Sequence, residues 1–220
     1  MMKSDTQLKK EVLDELKWDP SVNGNEIGVI LKDGAVALTG TVDTYAEKQA
    51  AERATERVKG VRAIAQEIEV KLPSSMRGTD EKIAEQISHM FKWSASLTNL
   101  DIQARVSNGY VTLTGEVNWA FQKKTAEHQI EDLQGVKSII NQMTVREPVS
   151  HVKAEDIKRQ INNALHRRAN LEASKVNLSV ADGKVTLVGT VDTYYERELI
   201  EKTVWACSGV KNVVDRLHIG

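Results

Sequence analysis

Apolar residues recur at every fourth position in three separate stretches of the chain. They are Leu8, Val12 and Leu16; Ile83, Ile87 and Phe91; and Ile157, Ile161 and Leu165. A spacing of four places apolar side chains along one side of an α-helix. Each stretch therefore predicts a helix with one buried face.

Beyond each predicted helix, apolar and polar residues alternate instead. In the first stretch the alternation runs over 27–31, before Asp33-Gly34, and over 36–38, after it. The same pattern surrounds Asn108-Gly109 and Asp182-Gly183. Two alternating runs joined by Asn-Gly or Asp-Gly predict a β-hairpin, because these residues adopt the positive φ angles of a type I′ turn.

A second helix and a third strand are predicted after each hairpin. Thr44 with Glu47, and Thr193 with Glu196, match the capping box that begins a helix, and Asn118 is the predicted cap in the middle stretch. Glycines end the second strands and the second helices. The former are Gly40, Gly115 and Gly189, and the latter are Gly60, Gly135 and Gly209. The closing strands are predicted over 64–70, 139–145 and 213–219.

These landmarks recur at intervals of 75 and 74 residues, so the chain is a threefold internal repeat. The run from Gly40 to Tyr45 reappears unchanged at 189–194. The order helix, strand, strand, helix, strand predicts an α+β fold of three tandem units, each with two helices packed on three strands. We expect the domains to span residues 1–72, 78–147 and 151–220. Their small size and short linkers favour units that dock against one another.

Composition excludes some classes of partner and site. Lys and Arg total 30 and Asp and Glu total 31, so the net charge is −1 and offers no basic field for nucleic acid. The single cysteine, Cys207, excludes an internal disulfide, and its register predicts a core position. No apolar run suits a secretory signal or a transmembrane segment. We expect a cytoplasmic protein as the sequence stands, and a periplasmic one if a signal has been trimmed.

The sequence contains no motif for catalysis. The histidines lack the spacing of metal ligands, and the recurring glycines match no phosphate-binding loop. Capping and the helix dipole explain the acids at the starts of the second helices. A polar residue recurs in the third strand, at Gln66, Asn141 and Asp215, and we expect it to bond to backbone near the bend at Gly40 and its equivalents. We expect no enzyme activity, no catalytic residue, no cofactor and no metal.

Two groups of residues are candidates for a partner-binding surface. Trp18 and Trp93 end the first helix in two units, where Arg167 stands in the third. Basic residues are concentrated around the first helix of the third unit. The third unit as a whole has 11 basic and 9 acidic residues, a net charge of +2. The basic candidates are Lys158, Arg159, Arg167 and Arg168. Such residues suit protein interfaces or anionic lipid headgroups. The alternatives are packing between units for the aromatic residues and a solvated helix face for the basic ones.

The run Asp-Gly-x-Val-x-Leu-x-Gly-x-Val, followed by a helix, Gly-Val and a closing strand, resembles the BON domain (bacterial OsmY and nodulation). It occurs at 33–42, 108–117 (with Asn for Asp) and 182–191, and the resemblance covers nearly the whole chain as three tandem BON domains. The resemblance implies αββαβ units with a mixed sheet, and no catalysis. It also implies binding to anionic phospholipid or to protein surfaces, often in the response to osmotic stress. The alternative that it implies is sensing of potassium or another small ligand, as in a cytoplasmic relative that joins one BON unit to a LysM unit.

Overall fold

Each repeat folds into a unit with the element order that the sequence predicts. The computed structural model describes residues 3–73, 78–146, 153–167, 176–207 and 209–220. The first unit contains α1 (Asp5–Trp18), β1 (Ile27–Lys32), β2 (Ala35–Val42), α2 (Tyr45–Glu56) and β3 (Ala63–Val70). The second contains α3 (Asp80–Trp93), β4 (Asp101–Ser107), β5 (Tyr110–Val117), α4 (Ala120–Glu131), β6 (Ser138–Asn141) and β7 (Thr144–Val145). The third contains α5 (Ala154–His166), β8 (Val176–Ala181), β9 (Lys184–Val191), α6 (Tyr194–Trp205) and β10 (Asn212–Ile219).

The sheet of each unit is mixed, with its second strand in the centre. β1 and β2 pair antiparallel, and β3 returns parallel to β2 after the crossover through α2. β8, β9 and β10 pair in the same way. In the second unit the returning strand is interrupted at Gln142 and Met143, so β6 and β7 pair with different parts of β5. The predicted α+β fold of three tandem units is confirmed.

The hairpin turns have the backbone that their residues predict. Asp33 and Gly34 have φ angles of 51° and 78°, and the Asn108-Gly109 and Asp182-Gly183 pairs have positive φ at both residues as well. At Gly40 the constraint is steric too, because an added Cβ would lie 2.1 Å from the carbonyl oxygen of Glu26. A side chain at either kind of position would strain the backbone or collide with it, which explains why these glycines recur.

Each unit has a core between its helices and its sheet. The predicted helix stripes supply these cores: all nine residues are buried except Phe91, which is partly buried. Cys207 is buried in the third core. Burial raises the pKa of its thiol, and the charge of Arg167 only partly offsets this. A buried thiol with a raised pKa is a poor nucleophile.

The second helices begin in two different ways. Thr44 accepts a hydrogen bond from the backbone N–H of Glu47, and Thr193 accepts one from Glu196, as predicted. In the middle unit the prediction of Asn118 as the cap is wrong. The N-cap residue there is Trp119, and the side-chain oxygen of Gln122 accepts hydrogen bonds from the N–H groups of Asn118 and Trp119. Glu47 and Glu196 accept from the N–H groups before their helices in the same way, so the middle unit keeps this half of the capping box and lacks the half that threonine provides.

The glycines predicted to end the second helices lie in the turns that follow. The helices end at Glu56, Glu131 and Trp205, four residues earlier in each unit. Gly60, Gly135 and Gly209 have φ angles of 106°, 98° and 90°. They shape the turn into the third strand and do not cap the helix directly.

The polar residue inside each third strand ties that strand to the second helix. Gln66 and Asn141 each donate to a backbone carbonyl of the helix, and Asp215 accepts from an arginine at the same helix position. The partners are Lys48 O at 3.4 Å, Lys123 O at 3.0 Å and Arg197 Nε at 2.6 Å. An oxygen of each side chain also accepts from the backbone N–H two residues further along the chain, in Ile68, Met143 and Leu217. Ile68 pairs with Gly40 and Leu217 pairs with Gly189, so the predicted bond to backbone near the bend is confirmed, and the bond to the helix is an addition to it.

Candidate functional site

The two tryptophans predicted to bind a partner lie at the same place in the first two units. Trp18 is the last residue of α1, and Trp93 is the last residue of α3. Each follows the last stripe residue by two positions, about 200° around the helix, and so lies on the solvent side. Their exposed fractions are 84% and 85%. These two indoles do not pack between the described units.

The basic candidates of the third unit that the structure describes are exposed but do not form one cluster. Lys158 and Arg159 lie on α5, and Arg167 is its C-cap. At about 100° per residue, Arg159 and Arg167 lie roughly 80° apart around the helix, whereas Lys158 is on the side opposite Arg167. Arg159 pairs with Asp156 at 2.6 Å. Arg168 lies outside the described residues. The described structure therefore places Arg159 and Arg167 near one side of α5 and does not bring Lys158 to them.

The second helices of the three units meet at one place. α6 contacts both α2 and α4, and Arg53 of α2 bonds to Glu131 of α4. Their facing surfaces line an open cleft of about 910 Å³. We call this the helix junction. Its charged residues are Glu52, Arg53 and Glu56 of α2, Lys123, Lys124, Glu127 and Glu131 of α4, and Glu198 and Lys202 of α6, and His128 of α4 also lines it.

The contacts between units run from each unit to the next. Tyr45, the first residue of α2, packs into the core of the second unit and is 7% exposed. Its hydroxyl bonds to the backbone of Ile139. Tyr194 is its equivalent in α6, packs against the core of the first unit and donates its hydroxyl to the carbonyl oxygen of Arg62. In both cases the start of a second helix meets the start of the third strand of another unit.

Ion pairs also join one unit to another. Lys124 of α4 pairs with Glu198 of α6 at 3.2 Å, which joins the second unit to the third. Lys59 of the first unit pairs with Asp192 of the third at 3.0 Å. The three units therefore form a head-to-tail ring that closes on itself, as heterologous contacts do when the rotation per copy allows it.

Two carboxylates of the helix junction have cationic partners. Glu131 is 9% exposed and accepts from Arg53 at 2.9 Å and from His128 at 2.7 Å. Glu198 contacts Lys202 at 2.8 Å and Lys124 at 3.2 Å. Burial would raise the pKa of Glu198, but the hydrogen bonds and charges of the two lysines outweigh burial and hold that pKa below its usual value.

Glu56 also lies in the junction and has no cation in contact among the described residues. It is partly buried and lies beside α6. Burial raises its pKa to about 7, and the negative charges of Glu198 and Glu52 act in the same direction. Lys202 and Arg53 offset part of the effect from a distance. A carboxyl in this setting holds a proton near neutral pH.

The described residues include no cluster of three or more His, Cys, Asp or Glu side chains that could hold a metal ion. In the same part of the chain, no helix combines the length and the apolar character that crossing a membrane requires. The recurring glycines have positive φ angles that shape turns, and glycine has no side chain that could take part in a reaction. The ion pairs of the junction connect α2 to α4 and α4 to α6.

The helix junction was not predicted from the sequence. Its residues are charged and lie on the side of each second helix opposite the core, which is also what a solvated helix face looks like. One signal was present: Arg53, His128 and Lys202 occupy one repeated position, and Glu56, Glu131 and Trp205 occupy another. A repeated stripe of charge on a helix that already has a buried stripe indicates a second contact surface.

Two solved structures are similar to this chain, both of CdsD, a structural protein of the type III secretion system of Chlamydia trachomatis; one is its C-terminal domain. Sequence identity is 10% for each, and the TM-score is 0.27 for each, too low to indicate a common arrangement. The first match covers 97% of this chain and 92% of that chain, and the second covers 99% and 100%. No curated protein matches the sequence significantly.

The family comparison agrees with the repeat seen in the fold. The family model of the BON domain matches three times, at residues 4–71, 79–147 and 153–220. Each match contains one αββαβ unit, from its first helix to its closing strand. The chain therefore belongs to the BON domain family, with three BON domains in tandem.

Proposed function

We propose that this protein is a non-catalytic binding protein that attaches to anionic phospholipid surfaces through its first helices. The supporting observation is the position of Trp18 and Trp93, which end equivalent helices and are 84% and 85% exposed. Indole rings are enriched at the boundary between lipid and water, where the apolar ring and the polar N–H each find suitable surroundings. Large apolar side chains exposed at repeated positions favour a contact surface over chance exposure.

The third unit contributes charge at the position where the other two contribute an indole. Arg167 ends α5 and is exposed, and Arg159 lies near the same side. Each Lys or Arg near an anionic membrane surface contributes about 1 kcal/mol of attraction. The net charge of the whole chain is −1, so the attraction depends on this local excess of positive charge. A protein that binds in this way is sensitive to salt.

Vesicle co-sedimentation tests the proposal, with anionic phosphatidylglycerol vesicles compared with neutral phosphatidylcholine vesicles at low salt. We expect the parent protein to sediment with the anionic vesicles only. The double variant Trp18→Ser/Trp93→Ser should lose most of this binding. Tyr110→Ser is the matched control, because Tyr110 is 53% exposed on the sheet side of the second unit and should not contribute.

A second pair of variants tests the charges. Arg159→Glu/Arg167→Glu/Arg168→Glu should abolish binding to anionic vesicles and leave the circular dichroism spectrum unchanged. The control is Lys184→Glu/Lys211→Glu/Arg216→Glu, which makes the same change in net charge with exposed residues on the sheet side of the same unit. Equal binding by parent and test variant would refute the basic surface. Equal sedimentation with both vesicle types would refute the lipid proposal and leave a protein surface as the partner.

The proposal includes a role in osmotic or other stress responses. The support for that role is membership of the BON family and nothing in the site itself. Survival of a strain lacking the gene after an osmotic upshift, compared with its complemented strain, tests it directly.

A further inference from the structure

We propose that the contact between α2 and α6, which closes the ring of three units, is a proton-controlled latch that opens when Glu56 ionises. This contact joins the two units that are furthest apart in sequence. Within the described residues, Tyr194 with Arg62 and Lys59 with Asp192 are its other polar links. The proposal does not depend on what the protein binds.

The geometry of equivalent carboxylates supports this role. Glu56 and Glu131 occupy the same position in α2 and α4. Glu131 accepts from Arg53 at 2.9 Å and from His128 at 2.7 Å, so it has a cation and a second polar partner in contact. Glu56 lines the same cleft with no cation in contact among the described residues, and it faces α6 where Glu198 already carries a charge. An ionised Glu56 would therefore place a second negative charge in the α2–α6 contact.

The surrounding charges do not remove this conflict in the closed arrangement. On α6, Lys202 is held by Glu198 at 2.8 Å. On α4, Lys124 is held by Glu198 and His128 is bonded to Glu131, and Lys123 and Glu127 also line the cleft. On α2 itself, Glu52 adds negative charge and Arg53 is held by Glu131. On α1, Glu15 and Asp19 are both paired with Arg57. Lys202 and Arg53, the two cations that act on Glu56, are thus each bonded to another acid.

The direction of the pH effect follows from the two states of Glu56. In the closed junction its pKa is raised to about 7, against an ordinary value of 4.5 when the junction is open and the group is solvated. Between these values the closed state holds a proton that the open state has lost. Rising pH therefore favours opening in this range, by up to about tenfold in the equilibrium constant per pH unit. Above the upper value both states are ionised and the effect ends.

The opening changes the relation between units and leaves each core intact. Trp18 lies on the first unit and Arg167 on the third, so the distance between their helices changes when α2 and α6 separate. The second unit stays attached to the first through Tyr45, which is buried in its core. The expected open form is therefore a chain of three folded units in which the third has moved.

Two measurements on the full chain test the latch. Carbon-13 NMR titration of the side-chain carboxyl groups should give a midpoint near 7 for Glu56. Small-angle X-ray scattering should give a larger radius of gyration at about pH 8.5 than at about pH 5.5. Glu56→Gln cannot ionise and should keep the smaller radius at both values. His128→Gln is the matched control, because it changes another polar side chain of the same cleft and leaves Glu56 in place, and this variant should still open.

Three results would overturn the proposal. One is a midpoint for the Glu56 carboxyl near its ordinary 4.5, which would mean that Lys202 or Arg53 turns to pair with it. Another is an unchanged radius of gyration across the pH range in the parent protein. The third is a Glu56→Gln variant that opens as the parent does. If this variant does not fold, the NMR titration and the scattering of the parent still decide the question.

Discussion

The contact of the first unit with the second is built differently from the contact of the second unit with the third. The first contact has Tyr45, buried in the neighbouring core, and Glu131, 9% exposed and paired with Arg53. In the second contact the position of Tyr45 is occupied by Ala120, and Lys124 pairs with Glu198 while both remain partly exposed. Both contacts use the same helices of the repeat, so the difference lies in single side chains.

This difference separates what the repeat determines from what its copies can vary. The repeated fold determines that the start of a second helix meets the next unit. The residue at that point then decides whether the contact buries an aromatic ring or only brings surface charges together. A buried aromatic ring contributes much more to stability than an exposed ion pair. We therefore expect the first two units to behave as one rigid body and the third to be held less strongly.

Removing the ring from the first contact should have the largest effect. We expect Tyr45→Ala to lower the free energy of unfolding by about 3–5 kcal/mol, because it leaves a cavity in the second core and removes the bond to Ile139. Urea denaturation followed by circular dichroism measures the change. The control is Tyr195→Ala, at a residue 42% exposed, which should change stability by no more than about 0.5 kcal/mol. Equal effects of the two variants would show that Tyr45 does not join the units.

Removing the partner of a nearly buried carboxylate should come second. Arg53→Met leaves Glu131 with only His128, and we expect a loss of about 1–2 kcal/mol after allowing for the exposure of Arg53. The double variant Arg53→Met/Glu131→Gln should recover part of this loss, since no charge is then left without its partner. Additive losses in the double variant would contradict a direct interaction.

Adding an aromatic ring to the contact between the second and third units is the reverse test. Ala120→Tyr places at this position the residue found in the other two units, and we expect a gain in stability of about 1 kcal/mol. Thermal denaturation should show this gain as a higher melting temperature. Phe121→Tyr is the control and should show no rise, because Phe121 is already aromatic and is 41% exposed. A loss of stability in Ala120→Tyr would mean that Trp205, which lines the same cleft, already fills the space.

Breaking the ion pair of the second contact should have the smallest effect. Lys124 and Glu198 have side chains 50% and 31% exposed, and Glu198 keeps Lys202 when Lys124 is lost. We expect Lys124→Met to change the free energy of unfolding by no more than about 0.5 kcal/mol, with less effect still at high salt. A loss as large as that of Arg53→Met would contradict the proposed difference between the two contacts.

Much of the fold could be predicted from the sequence, because its signals are local. The four-residue stripe through Leu8 and Val12 and the turn at Asp33-Gly34 act through neighbours in the chain, and both have the predicted structure. The start of α4 was predicted wrongly, because Asn118 does not cap it and the Gln122 side chain accepts from the N–H groups of Asn118 and Trp119. The pattern also did not show that Asp215 bonds to Arg197 of the helix as well as to the backbone beside the strand bend. Which groups a polar side chain reaches depends on positions in space, and these are not visible in the sequence pattern.

The positions of the candidate surface residues could also be predicted only in part. The helix pattern predicted that α1 and α3 end at Trp18 and Trp93. The exposure of both side chains agrees with a role at the surface. The predicted basic residues do not all lie together, because Lys158 and Arg167 are close in the sequence but lie on opposite sides of one helix. Whether either surface binds a partner stays a prediction for the vesicle experiments.

The sequence by itself determined the repeated unit, since hydrophobic periodicity, turn chemistry and capping all act over a few residues. Only the tertiary structure decided how the units meet and what that does to Glu56. A glutamate on the outer side of a helix has the same local pattern whether it faces water or another helix. Its pKa, its partners and its role depend on burial and on Glu198 and Lys202, which the chain brings to it only after three units have folded and docked.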